Sequence, residues 1–393
     1  QTLATAGASI IPKEAFEKYG FNSKIGTGAF IFSEKQDGTI VLKRNPRYYG
    51  VDASGNQLPF LDSIVISILS KPQELEKFRN NELSVLIGLP SESVINMVTK
   101  QIDDFKNKPP KYVLERLPEM ANQYYEFNLI KKPFDDLNVR KAFSYAIDRN
   151  KIVDEILNGE AYGPAIHGFC PPSFSGYDIT KIKGYDFDPE KARDFLTQAG
   201  YPGGKGFPKI KIELNSGGAK HTRVVVEIQK QLKNILNVDV DFEVVSQKQK
   251  LENAKFARSE IVRSSWIADY PNPETFLYVL YGGTLPADLT QETFPNTQRY
   301  KNPVFDSLYM AGKRAKTQEE AYENFMKAEQ LMMNDAPVLM LWYTENYRLM
   351  KSNVHNLFAN PIRYRNYAEV YLKNLEVLQG AEFGMIIQNR NDI

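Results

Sequence analysis

Cysteine is nearly absent: Cys170 stands alone among 393 residues, so no disulfide can close within the chain and no multi-thiolate metal site can form. Histidine is almost as scarce. His167, His221 and His355 are scattered without ligand spacing, and neither a metal nor another cofactor is expected. A net charge of either sign is missing too. Lys and Arg number 49 against 48 Asp and Glu, so no global field recruits nucleic acid or anionic lipid. The longest apolar run, around Ala336 to Tyr343, is far too short to span a bilayer. No initiator Met, signal peptide or lipidation cysteine stands near Gln1, which sets the expectation that the chain begins inside something already processed or cut.

What is plentiful is aromatic surface: 22 Tyr and 23 Phe bring the aromatic fraction to 12%, suited to gripping varied organic ligands although such residues fill cores first. A chain of this length exceeds one ordinary compact core, so two or three lobes are expected. Residues 25 to 70 read as β structure. Ala29-Phe30-Ile31-Phe32 and Thr39-Ile40-Val41-Leu42 flank the turn signal Gln36-Asp37-Gly38 as a hairpin, and Leu61 to Leu69 alternates as a strand. Pro72 opens a helix to about Asn80, and Leu83 to Gly88 is a short strand. From Asp136 the apolar positions fall at helical spacing through Leu157, with Gly159 placed as the stop. Lys209–Asn215, Arg223–Leu236 and Val238–Val245 read as a strand–helix–strand unit of the length a parallel crossover needs. Asp188-Pro189-Glu190 starts a helix that Gly200 stops, Thr317 with Glu320 forms a capping box, and Pro337–Tyr343 is a buried strand. The whole is a continuous α/β protein. The lysines near 105 to 111, with Pro109-Pro110, are the best candidate for a crossing between lobes.

Ser264-Ser265-Trp266-Ile267-Ala268-Asp269-Tyr270-Pro271-Asn272-Pro273 sets an acid between aromatics just before two prolines that force the backbone off any regular element. Asp269 beside Trp266 and Tyr270 either anchors a ligand ammonium, with ring faces adding cation–π attraction, or merely closes a turn. Arg263 lies six residues earlier; in extended chain the two would share a face, one taking a carboxylate and the other an ammonium, unless they pair with each other. Tyr124 and Tyr125, with Asn128, either line a cleft or pack. Gly26-Thr27-Gly28 lacks the downstream Lys-Ser/Thr of a phosphate loop and enters a strand. His167 and Ser173 are close in sequence, but no Gly-x-Ser-x-Gly elbow accompanies them, and Asp135-Asp136 reads as a helix-capping pair. An enzyme is not expected.

Several longer stretches carry a resemblance. Asn45-Pro46-Arg47-Tyr48-Tyr49-Gly50 with Pro59-Phe60-Leu61-Asp62, the run Pro133 to Arg149, Tyr185 to Ala192, Ala199-Gly200-Tyr201-Pro202, Arg299-Tyr300-Lys301-Asn302-Pro303 and the Asp269 segment resemble the bacterial extracellular solute-binding proteins of family 5, the oligopeptide- and dipeptide-binding group. The matches run in family order from about Pro12 to Leu378. The resemblance implies a two-lobe clamshell of the type II periplasmic-binding-protein class, serving an ABC importer: 1–109 would be the remainder of lobe I, 110–340 lobe II, and 341–393 the return to lobe I. It matches Asp269 to the aspartate that holds a peptide α-amino group, Arg263 to a basic position meeting the C-terminal end of some peptides, and Trp266 to the tryptophan beside them. It also implies a periplasmic or cell-surface monomer that captures short peptides in an interlobe cleft and docks on a membrane permease, with membrane contact only through an anchor outside this chain. Family members carry further residues before the position of Gln1, so lobe I is expected to be incomplete, with exposed strand edges. Relatives that carry nickel complexes, haem, sugars or opines supply the alternative ligand classes, and an amide hydrolase is the alternative from another class.

Overall fold

The structure, a computed structural model, describes residues 12–20, 24–87, 112–216, 218–362 and 365–373. The chain opens with α1 (Lys13–Tyr19), then β1 (Phe30–Gln36), β2 (Thr39–Arg44), β3 (Ser63–Ser67), α2 (Lys71–Arg79) and β4 (Val85–Ile87). The long β5 (Tyr112–Phe127) leads to α3 (Leu137–Tyr145), the short β6 (Gly163–Pro164) and α4 (Pro189–Gln198). Next come β7 (Ile210–Asn215), α5 (Ala219–Leu236), β8 (Val240–Val245), α6 (Gln247–Lys255) and β9 (Ile261–Ile267). A single turn, α7 (Glu274–Leu277), precedes α8 (Pro303–Arg314), α9 (Gln318–Asp335) and the long β10 (Val338–Lys351), and β11 (Val354–His355) with β12 (Tyr371–Leu372) closes the described chain.

Two compact units result, Gln1–Leu117 with Asn346–Ile393, and Pro118–Glu345. The chain passes between them inside β5 and β10, where the expectation placed the divisions at 109/110 and 340/341; the lysine- and proline-rich stretch at 105–111 lies outside the described residues. In the first unit β1, β2 and β3 form an antiparallel sheet. The hairpin turn is where Asp37-Gly38 put it: both residues take positive φ (47° and 75°), the twist a two-residue hairpin needs. No residue of these three strands is fully buried, and Ile31, Val65 and Ile66 are exposed. Among the buried apolar groups of this unit are two small clusters, one around Phe78, Leu86 and Leu349 and one around Met350, Val354, Leu357 and Val370.

The second unit is built on a mixed sheet in the order β10-β5-β9-β7-β8, with β6 added on β10. β7 and β8 pair in parallel, joined by α5 as the crossover, so the strand–helix–strand reading stands. β7 is also parallel to β9, and β9 is antiparallel to β5. A large core runs through the unit, from Phe127, Phe134 and Phe143 through Ile210, Ile212 and Leu214 to Val224, Ile228 and Leu232 of α5. Asp188 caps α4 by accepting from the Lys191 amide at 3.0 Å, and Gly200 takes φ 90° beyond its end. Thr317 accepts from the Glu320 amide, while the Glu320 carboxylate reaches back one residue further than a capping box does, to the Lys316 amide at 3.1 Å.

The helix expected from Asp136 to Leu157 is not continuous. Asp136 caps α3 by accepting from the Asn138 amide, whereas Asp135 takes no cap role with its side chain. α3 stops at Tyr145; Asp148 caps a new turn, which widens into i→i+5 bonding over Ile152–Ile156. The cause is Arg149, fully buried, whose guanidinium donates to the carbonyls of Ser144, Ile147, Tyr185 and Met340. A buried cation needs such acceptors, and it takes them from the end of the helix before it. The expected strand at 337–343 is likewise only the first half of β10.

Candidate functional site

The Asp269 segment lies at the carboxyl end of β9. Register with β5 runs from Phe127↔Ile261 to Ala121↔Ile267, and the Ala268 amide still donates to the Met120 carbonyl at 2.9 Å. There the strand ends, because Pro271 and Pro273 offer no amide to continue it. The chain folds back into α7: the Asn272 amide donates to the Tyr270 carbonyl at 2.8 Å, and the Thr275 amide to the Asn272 carbonyl at 3.2 Å. Asp269 is thus exposed on a loop whose next turn is buried, Pro273 through Leu277 all lying inside.

Three side chains gather at that loop. Thr275 Oγ1 lies 3.4 Å from Asp269 Oδ2, from the Asp269 amide and from Trp266 Nε1. Tyr270 turns its hydroxyl to the carboxylate of Glu274, which also accepts from Tyr309 and pairs with Lys313 at 3.3 Å. Burial first, then that carboxylate, pushes the Tyr270 hydroxyl well above its ordinary value. The Tyr270 hydroxyl is therefore committed to the protein, and what it can offer a ligand is its ring.

Arg263 does not share this cluster. The extended-chain argument that put Arg263 and Asp269 on one face fails at Ala268, where β9 gives way to the proline turn. Within β9, Arg263 and Trp266 alternate onto opposite faces. The Arg263 guanidinium donates to Asn215 Oδ1 at 3.2 Å, at the end of β7, and to Gln123 Oε1 on β5; it makes no ion pair with Asp269. Burial lowers its pKa, while Tyr125 and Tyr124 act weakly the other way.

Around Arg263 stands a group of basic residues that the sequence reading did not single out. Lys220 and His221 come from the first turn of α5, and Lys250 from α6. His221 lies nearly parallel to the Trp342 ring at 6.2 Å, and the Lys220 ammonium is 5.9 Å from the same ring. Burial, helped by the charges of Arg263, Lys220 and Lys250, holds His221 down at about 3, so its ring is neutral at pH 7. Burial also lowers Lys220, and brings Lys250 down to about 8; the Lys250 ammonium donates to the Arg263 carbonyl at 2.8 Å. Among the described residues, none of Arg263, Lys220, His221 and Lys250 forms an ion pair with a carboxylate. No sequence motif could have gathered them, since Lys220 and His221 follow β7, Lys250 follows β8 and Arg263 lies on β9, and they meet at the carboxyl end of parallel strands, where open α/β sheets place ligands.

Tyr124 and Asn128 take other places. Tyr124 is 1% exposed, edge-on to Phe169 at 4.9 Å, with its hydroxyl pushed far up by burial. Asn128 gives its amide hydrogens to the carbonyls of Ala257 and Ser259 at 3.1 and 2.9 Å, pinning the chain that leads into β9. Asn122 does the comparable work near Asp269: its Oδ1 accepts from the Trp266 amide at 3.0 Å and its Nδ2 donates to the Phe169 carbonyl at 2.6 Å.

Residues 1–287 match the family described as bacterial extracellular solute-binding proteins, family 5 Middle. The chain belongs to that family. The chain is 26% identical to the periplasmic oligopeptide-binding protein OppA of Salmonella typhimurium, across 96% of this chain and 66% of that protein. The oligopeptide-binding protein OppA of Bacillus subtilis is also 26% identical, across 86% of this chain and 58% of that one. Among solved structures, the ABC transporter-associated periplasmic binding protein DppA of Helicobacter pylori, in complex with the peptide STSA, superposes with a TM-score of 0.76 at 25% identity, covering 95% of this chain and 69% of that one. The chain therefore spans about two thirds or less of the length of the curated relatives it matches. This family 5 member has the α/β, two-lobe fold of type II periplasmic binding proteins that its sequence led one to expect. The family is one of extracytoplasmic solute carriers, and among the described residues no helix is long and apolar enough to cross a membrane.

Proposed function

We propose that this protein captures short peptides by their charged ends, for delivery to the permease of an ABC importer outside the cytoplasmic membrane. Asp269 takes the α-ammonium group, flanked by the Trp266 and Tyr270 rings. Arg263, with Lys220 and neutral His221, takes a carboxylate at the other side of β9. The observation that carries this reading is the separation of charge: an exposed carboxylate beside Trp266 and Tyr270 at the end of β9, and a largely buried basic group that, among the described residues, is ion-paired with no carboxylate. Taking an ion pair's worth of charge from a ligand relieves the cost of basic groups held away from water. Tyr124 and Asn128 serve this site from behind, through packing and through the chain leading into β9. Backbone bonding between ligand and strands ignores side-chain identity and would allow broad specificity. The relatives named for oligopeptides, and the Helicobacter pylori protein holding STSA, support a peptide as the solute. The protein works as a monomer without hydrolysing its ligand.

Calorimetry on the full-length protein tests the reading. Asp269→Ala should weaken free-amino peptides by about 10- to 100-fold, the loss of one hydrogen bond to a charged group, and leave N-acetylated peptides nearly unchanged. Equal affinity for blocked and free peptides in the parent protein would instead point to another solute class, and release of cleaved peptide by pure protein would point to a hydrolase.

A further inference from the structure

We propose that Thr275 is a positioning residue for ammonium capture: its hydroxyl aims the Asp269 carboxylate and locks the Trp266 indole beside it. This rests on the reading of Asp269 as the ammonium anchor and adds the group that sets the anchor's direction.

A threonine hydroxyl has one proton to donate and two lone pairs to accept with. Two N–H groups converge on Thr275 Oγ1, the Trp266 indole and the Asp269 amide, each at 3.4 Å. Neither can accept a hydrogen bond. With both lone pairs facing donors, the remaining acceptor near the hydroxyl is Asp269 Oδ2, also at 3.4 Å, so the proton points there. Among the described residues this is the carboxylate's one protein hydrogen bond, and Oδ1 is left for a ligand. The contacts are long for hydrogen bonds, so their effect is directional more than energetic.

The hydroxyl itself cannot wander. Thr275 is 2% exposed, and a β-branched side chain has few χ1 states. Its neighbours are held as firmly. Phe276 is fully buried against the rings of Phe169 and Phe174, the Pro273 carbonyl faces Cys170 Sγ at 3.8 Å, and Glu274 is gripped by Tyr270, Tyr309 and Lys313. An exposed carboxylate on a loop would otherwise sample several rotamers, and each ligand bound would lose that freedom afresh. Here the buried turn of α7 supplies the orientation in advance.

The test compares Thr275→Val, which keeps the shape without the hydroxyl, with Thr275→Ser, which keeps the hydroxyl, in the full-length protein. Each is titrated with a free-amino peptide and with its N-acetylated form, and Asp269→Ala is run alongside. Thr275→Val should lose about tenfold for the free-amino peptide and change less than about twofold for the acetylated one, with Thr275→Ser close to the parent. Circular dichroism and Tm establish that each variant is folded, and Thr275→Ala replaces the valine variant if that one is not. Equal losses for both peptides would make Thr275 a structural residue only and overturn the proposal, as would an unchanged free-amino affinity. If Asp269→Ala fails to discriminate the two peptides, the ammonium reading itself falls, a result separable from a failure confined to Thr275.

Discussion

Asp269, Trp266 and Tyr270 were legible as residues because they are neighbours in sequence and the prolines after them announce a turn. What surrounds them was not: Thr275 and Glu274 reach them through a fold-back that no local pattern dictates, and the basic group around Arg263 draws Lys220 and His221 from one helix and Lys250 from another. His221 gives a prediction at this scale. Its pKa falls from 6.5 in a solvated chain to about 3 in the fold, because burial and three nearby cations oppose a further charge. Between those values the unfolded chain holds a proton that the folded one refuses. Folding stability must then fall as the pH drops through that window, and be fully present above about 6.5. His221→Gln should therefore lose less Tm than the parent between pH 7 and pH 4, whatever its starting Tm. Parallel curves would mean that the ring is solvated and free to take its proton.

Elements were read well where their signals are local and poorly where tertiary demands intervene. The Asp37-Gly38 hairpin, the Asp188 cap and the β7–α5–β8 crossover need only nearby residues, and all were found. The break after Tyr145 was missed because helical spacing persists through it while the buried Arg149 draws away the carbonyls that would continue the helix. The helix pair α8 and α9 shows the same contest at a glycine. Gly312 sits inside α8, where alanine would ordinarily be preferred by about 1 kcal/mol. A methyl group there would meet the Phe325 ring of α9 at 2.3 Å, and Phe325 is itself buried and packed on Tyr309. Overpacking of this kind costs about 1–3 kcal/mol, so it outweighs propensity. Gly312→Ala should lower stability to denaturant, and pairing it with Phe325→Leu should recover part of the loss. A stabilised single variant would show that the helices can part at no cost.

At the scale of the molecule, the two units differ in how they are made from the chain. Pro118–Glu345 is one unbroken segment, whereas the other unit needs residues from both sides of it. The unbroken unit also keeps its own pairings. The part of β5 that meets β9 begins at Ala121, the part of β10 that meets β6 is Trp342 and Tyr343, and every member of the large core lies within the segment. Cutting at Leu117/Pro118 and at Glu345/Asn346 removes strand ends without opening that core. Residues 118–345 expressed alone should therefore fold, with dispersed amide resonances and a single cooperative urea transition whose midpoint depends little on the residues removed. The discontinuous unit, with two small apolar clusters and a three-stranded sheet that buries no residue fully, has less to hold it once the connection through the other unit is cut. A segment 118–345 that kept its far-ultraviolet dichroism but lost its near-ultraviolet signal and bound a hydrophobic dye would show the reverse dependence, a core that packs only with the rest of the chain in place. Asp269, Thr275, Trp266, Arg263, Lys220 and His221 all belong to this one segment, so the isolated unit should retain the pH dependence assigned to His221 as it stands in the whole protein.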